Sequence, residues 1–147
     1  MFGITEPRLI RTFAALVLAL GLASCGEGGT GVTIEHAEFR PPLGATGIGV
    51  AYFTIRSAKP DRIVSVSSPE ADSIEIHASV TDGGNVSMKR LDGVDLPAGK
   101  TVSFESGGMH LMVFSPRISG EALTFPITIE LQSGSTPTTR FRLVAGG

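Results

Sequence analysis

Gly49-Val50-Ala51-Tyr52-Phe53-Thr54-Ile55 is the stretch that decides the fold class of this 147-residue chain. It is rich in β-branched and aromatic side chains, which are enriched in β-strands. Together with shorter runs on both sides it makes about eight or nine strand-like segments at roughly ten-residue spacing, separated by Gly, Pro, Asp and Ser. No stretch after the N-terminal segment has the pattern of a long amphipathic helix. The sequence therefore predicts a single all-β domain, an antiparallel sandwich or barrel.

The predicted strands are bounded by turn-forming residues. Asp82-Gly83-Gly84-Asn85 is a hairpin signal, so the segments on either side of it are expected to pair. In chain order the predicted strands are residues 32–39, 49–55, 62–66, 73–79, 85–91, 101–105, 109–114, 123–131 and 138–144. Because apolar and polar residues alternate unevenly, the order of the strands within the sheet cannot be read from the sequence.

Residues 1–24 have the pattern of a lipoprotein signal peptide. Arg8 and Arg11 make a positive segment, and residues 12–22 are an apolar run too short to span a membrane. The run ends in Leu22-Ala23-Ser24-Cys25, which resembles a bacterial lipobox. The resemblance implies cleavage before Cys25, with lipid on its sulfur and on the new amine. A plain secretory signal is the alternative interpretation.

The expected mature chain has three parts: a lipid anchor, a tether and one domain. Residues 25–31 hold Cys25 and a flexible glycine-rich tether, and residues 32–147 form the domain. Gly26, rather than Asp, favours the outer membrane by the sorting rule of enteric bacteria. Without the signal the chain has ten basic and thirteen acidic residues. No basic cluster is present, which excludes nucleic acid as an expected partner.

Histidine and methionine are concentrated in one window of the domain. After Cys25 the chain has three methionines and three histidines, and five of these six residues lie between positions 77 and 112. They are His77, Met88, Met109, His110 and Met112. Thioether sulfur and imidazole nitrogen are ligands that suit Cu(I). His36 stands apart from the window and is interpreted as structural.

Strand geometry predicts which of these side chains share a face and can bind one ion. Side chains at positions i and i+2 share one face of a strand, so His110 and Met112 point the same way and Leu111 points the other way. His77 is expected to point away from the core, and Met88 becomes its candidate neighbour across the hairpin. Taken singly, Met88 and Met112 are better explained as core gap-fillers, Met109 as a loop or rim residue, and His77 as a surface or hydrogen-bonded residue. Their joint occurrence is what indicates a copper site.

The spacing His77-X10-Met88-X21-His110-X-Met112 resembles the signature of the periplasmic copper chaperones of the PCuAC family. Residues 91–102 are similar to the turn-rich segment between the ligands of that family. The stretch from Ser106 to Met112 is similar to its Gly-Gly-Tyr-His-X-Met motif. The likeness covers roughly residues 32–144.

The resemblance implies a cupredoxin-like β-sandwich that binds one Cu(I) near its surface through His77, Met88, His110 and Met112. Met109 stands where the family usually has Tyr, which makes it a possible auxiliary ligand. The family passes copper toward the copper centre of cytochrome c oxidase, often with Sco-type thiol proteins. By this likeness the protein is expected to be a lipid-anchored, periplasm-facing copper chaperone.

Other functions fit the sequence less well. A blue-copper electron carrier requires a cysteine thiolate, and Cys25 is the only cysteine. No Gly-X-Ser-X-Gly elbow or comparable catalytic arrangement is present, so the protein is not expected to be an enzyme. Zinc is poorly served, since methionine is not among its usual ligands. A structural or interaction domain of a cell-envelope lipoprotein, without metal, remains the alternative.

Overall fold

The computed structural model describes residues 31–145, and ten β-strands form the domain. They are β1 (Val32–Arg40), β2 (Ile48–Ser57), β3 (Asp61–Ser67), β4 (Ser73–Asp82), β5 (Asn85–Leu91), β6 (Val94–Leu96), β7 (Thr101–Phe104), β8 (Met109–Phe114), β9 (Thr124–Leu131) and β10 (Thr138–Leu143). A 3₁₀ turn covers Gly44–Thr46. The predicted signal peptide, Cys25 and nearly all of the tether lie outside the described residues. Within residues 31–145, no helix has the length and apolar character needed to cross a membrane.

All ten strands belong to one hydrogen-bonded sheet. Its order is β5-β4-β8-β7-β2-β1-β10-β9-β3-β6, and β8 also pairs with β2. Most neighbours are antiparallel, as predicted, but β1 pairs with β10 and β7 with β8 in parallel. The prediction of a single all-β domain is therefore confirmed, with two parallel pairs that the sequence pattern did not indicate.

One of the ten strands, β6, is absent from the nine strands that the sequence predicted. It is only three residues long and lies in the turn-rich segment before β7. It pairs with β3, where Val94 lies opposite Ile63. Leu96, the last residue of β6, is 1% exposed. A run this short carries too few residues to show a two-residue period, so only the pairing with β3 reveals it.

The core lies on the inward face of the folded sheet and is mainly aromatic and β-branched. In β2, Ala51, Phe53 and Ile55 are buried, while the residues between them are partly exposed. This alternation is the two-residue period of a strand with one face on the core. The largest fully buried side chains are Phe39, Phe53, Phe125, Phe141, Ile55, Ile63, Leu96, Leu111, Ile127, Ile129, Leu131 and Val113.

Strands β4 and β8 are fixed to this core by their inward side chains. Leu111 and Val113 of β8 are fully buried, and Ile76 of β4 is 5% exposed. Because successive side chains point to opposite faces, these anchors direct His110 and His77 to the outer face of the sheet. The packing of the core thus determines which side of the sheet carries the predicted ligands.

Candidate metal centre

Three neighbouring strands, β5, β4 and β8, bring the predicted ligands onto one face. His77 in β4 lies directly opposite His110 in β8. The centroids of their rings are 6.1 Å apart, and the ring planes are inclined by 33°. This separation allows one metal ion to be bound by both rings. The long sequence gap between the two histidines is therefore closed by the pairing of β4 with β8.

The two predicted methionine ligands lie on either side of the histidine pair. Met112 follows His110 by two residues and so shares its face, opposite Glu75. Met88 lies on the same face of β5, opposite Ser79. Both are diagonal neighbours of His77, a position within reach of long side chains. Two thioethers can therefore approach the two imidazoles from opposite ends.

The register of the β4–β5 hairpin determines where Met88 lies relative to His77. Arg90, not Met88, lies directly opposite His77. The hairpin closes at the pair Asp82 and Asn85 around two glycines with positive φ, and the turn sets the register of every later pair. Met88 is thus displaced by two residues from direct opposition and is the diagonal cross-strand neighbour of His77.

Exposure increases across the site from β8 to β5. His110 is 4% exposed, the His77 side chain is 14% exposed, and Met88 is 62% exposed. Met112 is partly buried. Both imidazoles are therefore largely buried, whereas the thioether of Met88 is accessible to solvent.

A backbone carbonyl orients His110. The Nδ1–H of its ring donates to the carbonyl oxygen of Gly108 at 3.1 Å. The same carbonyl accepts the backbone N–H of Ser79 at 3.1 Å, which ties the turn before β8 to β4. Gly107 holds this turn with a φ of +81°, a conformation that favours glycine. With Nδ1 as the donor, Nε2 of the neutral ring carries the lone pair.

A carboxylate orients His77. The Nε2–H of its ring donates to Oε2 of Glu75 at 2.9 Å, because a carboxylate can only accept. The other oxygen of Glu75 is paired with the Arg90 guanidinium at 3.1 Å. The hydrogen bond from His77, together with the charge of Arg90, lowers the pKa of Glu75 against the opposing effect of burial. Nδ1 of His77 is then the nitrogen with the lone pair.

Both of these lone-pair nitrogens are buried and lack a hydrogen-bond partner. Within residues 31–145 four buried side-chain polar atoms have no partner, and two of them are His77 Nδ1 and His110 Nε2. Buried polar groups are nearly always hydrogen-bonded, so two such atoms on facing rings require a reason. Two imidazoles and two thioethers make a neutral, soft donor set, which fits Cu(I). Among residues 31–145, no three His, Cys, Asp or Glu side chains form a metal-binding group.

Met109, the predicted auxiliary ligand, is not brought to this face. It is the first residue of β8 and packs against the hydrophobic core. Since it is adjacent to His110 in a strand, its side chain points to the opposite face. His36 is exposed in β1 at a register shift, with a φ of +54°, and is not part of the site.

The sequence interpretation missed Glu75 and Arg90 as members of the site. The signal was present for Glu75, which precedes His77 by two residues and so shares its face of the strand. Arg90 had no comparable signal, because its position opposite His77 depends on the hairpin register.

Comparison with known proteins places the chain among lipoprotein-related sequences. Residues 32–142 match the model of the LpqE-like family, described as "Putative lipoprotein LpqE-like". A relative from Leifsonia xyli subsp. xyli, "Putative lipoprotein Lxx21020", is 25% identical over 146 residues, covering 88% of this chain and 86% of the relative.

Solved structures of PCuAC domains share the fold. The copper-bound PCuAC domain from PmoF2 has a TM-score of 0.65 at 21% identity, covering 79% of this chain and 94% of that domain. The solution structure of CuI-DR1885 from Deinococcus radiodurans has a TM-score of 0.57 at 24% identity, covering 76% of each chain. The predicted cupredoxin-like β-sandwich is thereby confirmed. The protein belongs to the LpqE-like family and has the fold of PCuAC domains.

Proposed function

We propose that the protein is a copper chaperone that binds one Cu(I) through His77, Met88, His110 and Met112. His77 contributes Nδ1 and His110 contributes Nε2. The observation that carries this proposal is the pair of buried, partnerless ring nitrogens on facing strands, with a thioether at each end. Copper-bound structures of two proteins with this fold lend further support.

The chemistry of the donor set favours the cuprous ion. All four ligands are neutral and none is a thiolate, so they stabilise Cu(I) and offer little to harder ions. The carboxylate of Glu75 lies on the same face, but both of its oxygens are held by His77 and Arg90. The site therefore presents soft donors to the ion and keeps its one hard donor occupied.

The gradient of exposure suits a carrier, which must release its ion. Met88 is 62% exposed on β5, while His110 is 4% exposed. A partner can replace the accessible thioether first, while the buried imidazoles still hold the ion. We infer that transfer to a partner proceeds by ligand exchange that begins at Met88. In this proposal the protein moves copper and catalyses no reaction.

The proposed location and recipient follow from the N-terminal pattern and the family likeness. Residues 1–24 act as a signal peptide, and Cys25 carries the lipid that anchors the domain on the periplasmic side of the cell envelope, with the outer membrane favoured. The lipoprotein names of the family and of its Leifsonia relative support an envelope lipoprotein. The proposed recipient is the copper centre of cytochrome c oxidase, with Sco-type proteins as partners.

An anaerobic Cu(I) titration tests the proposed binding. The chain from Gly26 onward, which contains every described strand, competes for Cu(I) with a chromophoric chelator. We expect one tight equivalent for the unmodified protein and a large loss of affinity in His77→Ala.

The matched control for this titration is His36→Asn. It removes the histidine of β1 that lies outside the site, and asparagine tolerates the positive φ at that position. Affinity should be unchanged in this variant. If the unmodified protein fails to compete for Cu(I), the chaperone function is wrong, and a metal-free envelope domain becomes the better description.

A further inference from the structure

Glu75 lies on the outer face of β4 and is hydrogen-bonded to His77. We propose that Glu75 is a positioning residue that determines which ring nitrogen of His77 faces the copper ion. This inference rests on the proposed copper function for its purpose, but the hydrogen bond it concerns exists in the protein without metal.

The geometry assigns the direction of the effect. Oε2 of Glu75 lies 2.9 Å from Nε2 of His77, and a carboxylate offers no proton. The proton of the neutral ring therefore sits on Nε2, and Nδ1 keeps the lone pair. Nδ1 is buried without a hydrogen-bond partner, so its lone pair is free to bind a metal ion. A hydrogen bond to the second nitrogen is the usual way in which proteins orient metal-binding histidines.

Arg90 holds Glu75 in the position that this role requires. The guanidinium lies 3.1 Å from Oε1, the oxygen that His77 does not use. Arg90 is opposite His77 in the hairpin register, and Glu75 precedes His77 by two residues, so all three side chains lie on one face. The Arg90 side chain is 65% exposed. Exposed ion pairs contribute little to stability, so the pair is better understood as a support for the orientation of Glu75.

The two histidines are oriented by different kinds of acceptor, so only the orientation of His77 depends on a residue that can be substituted. His110 donates to the backbone carbonyl of Gly108, an acceptor that no side-chain substitution removes. His77 depends on a side chain two residues away. Substitution of Glu75 therefore changes one ligand of the proposed site and leaves the other in place.

The first test observes His77 in the metal-free protein. Nitrogen-15 NMR of the imidazole at about pH 8, above the ordinary pKa of histidine, reports which nitrogen carries the proton. For His77 of the unmodified protein we expect only the Nε2–H tautomer, with a protected Nε2 proton. Glu75→Ala should lose this protection and show mixed tautomers. Glu75→Gln keeps an acceptor oxygen at the same reach and should restore the Nε2–H form.

The second test measures Cu(I) affinity of the same variants. Glu75→Ala should bind about 10- to 100-fold more weakly, the usual range for the outer partner of a metal ligand, and Glu75→Gln should stay close to the unmodified protein. Glu130→Ala is the matched control, because Glu130 is an exposed strand carboxylate bonded to Ser65, away from the site. It should match the unmodified protein in both tests.

The outcomes separate this inference from the copper function. If Glu75→Ala retains a single, protected Nε2–H tautomer, the positioning role is wrong, whatever the copper affinity. Equal losses in Glu75→Gln and Glu75→Ala would also overturn it, since charge rather than orientation would then be responsible. If the tautomer changes as expected but no form of the protein binds Cu(I), the chaperone function falls and the control of His77 by Glu75 stands.

Discussion

Met88→Leu separates copper binding from folding more sharply than any other single change in the site. Met88 is 62% exposed on β5, at the edge of the sheet. Leucine has a similar volume, and exposed substitutions of this kind change the free energy of unfolding by less than about 0.5 kcal/mol. The metal-free variant should therefore unfold at nearly the same temperature as the unmodified protein.

The expected effect appears only when copper is present. An ion that binds the folded state at 100 times its dissociation constant stabilises that state by about 2.7 kcal/mol. Loss of a residue that only supports a metal ligand weakens binding by up to about 100-fold, and we take this value for Met88→Leu. At the same copper concentration, copper then stabilises the variant by only about 0.4 kcal/mol. The difference, about 2.3 kcal/mol, corresponds to a fall in Tm of roughly 9 °C for a domain of this size.

The assay is thermal unfolding under anaerobic conditions, with free Cu(I) set by a chelator buffer. Met109→Leu is the matched control, because it makes the same chemical change on the core side of β8. It should keep the full rise in Tm caused by copper. An equal rise in Met88→Leu and the unmodified protein would refute the assignment of Met88 as a ligand.

Three further predictions concern folding and acid stability. Leu111→Ala truncates a fully buried side chain and should lower the free energy of unfolding by about 2–5 kcal/mol in urea titrations. Gly49→Ala should destabilise by about 1–3 kcal/mol in the same assay, since a Cβ there would lie 2.5 Å from the Phe39 ring and overpack the core. The pKa of Asp61 is lowered from 3.8, first by the Ser133 hydroxyl. Ionised Asp61 therefore stabilises the folded state above its unfolded-state pKa, and this stabilisation is lost as pH falls through the lower folded-state pKa. Ser133→Ala should weaken this loss, which unfolding at a series of acid pH values would detect; an unchanged acid profile would contradict it.

The outcome for individual strands shows how far local patterns extend. The run from Gly49 to Ile55 predicted β2 because it is rich in β-branched and aromatic residues, a property of the segment alone. The three residues of β6 were missed, since a pattern that short has no period. The parallel pairing of β7 with β8 was also missed, because partner choice depends on contacts between distant parts of the chain.

The candidate site shows the same division between local and long-range information. The alternation in β8 predicted that His110 and Met112 share a face, and the pairing places them there. The same rule applied to Met109 puts it on the core face, but the sequence interpretation kept it as a possible auxiliary ligand because of its place in the family motif. The hairpin signal predicted that Met88 and His77 are neighbours across two strands, and only the register shows that Met88 lies on the diagonal.

The sequence by itself determined the all-β class, most of the strands and the family likeness, because these depend on residue type and on short or fixed spacings. Only the tertiary structure decided that β4 pairs with β8, that His77 faces His110, and that Glu75 and Arg90 stand beside them. The physical reason is that strand periodicity is a local property of the backbone. Strand partners, register and the proton position on an imidazole depend on atoms that meet only when the sheet has formed.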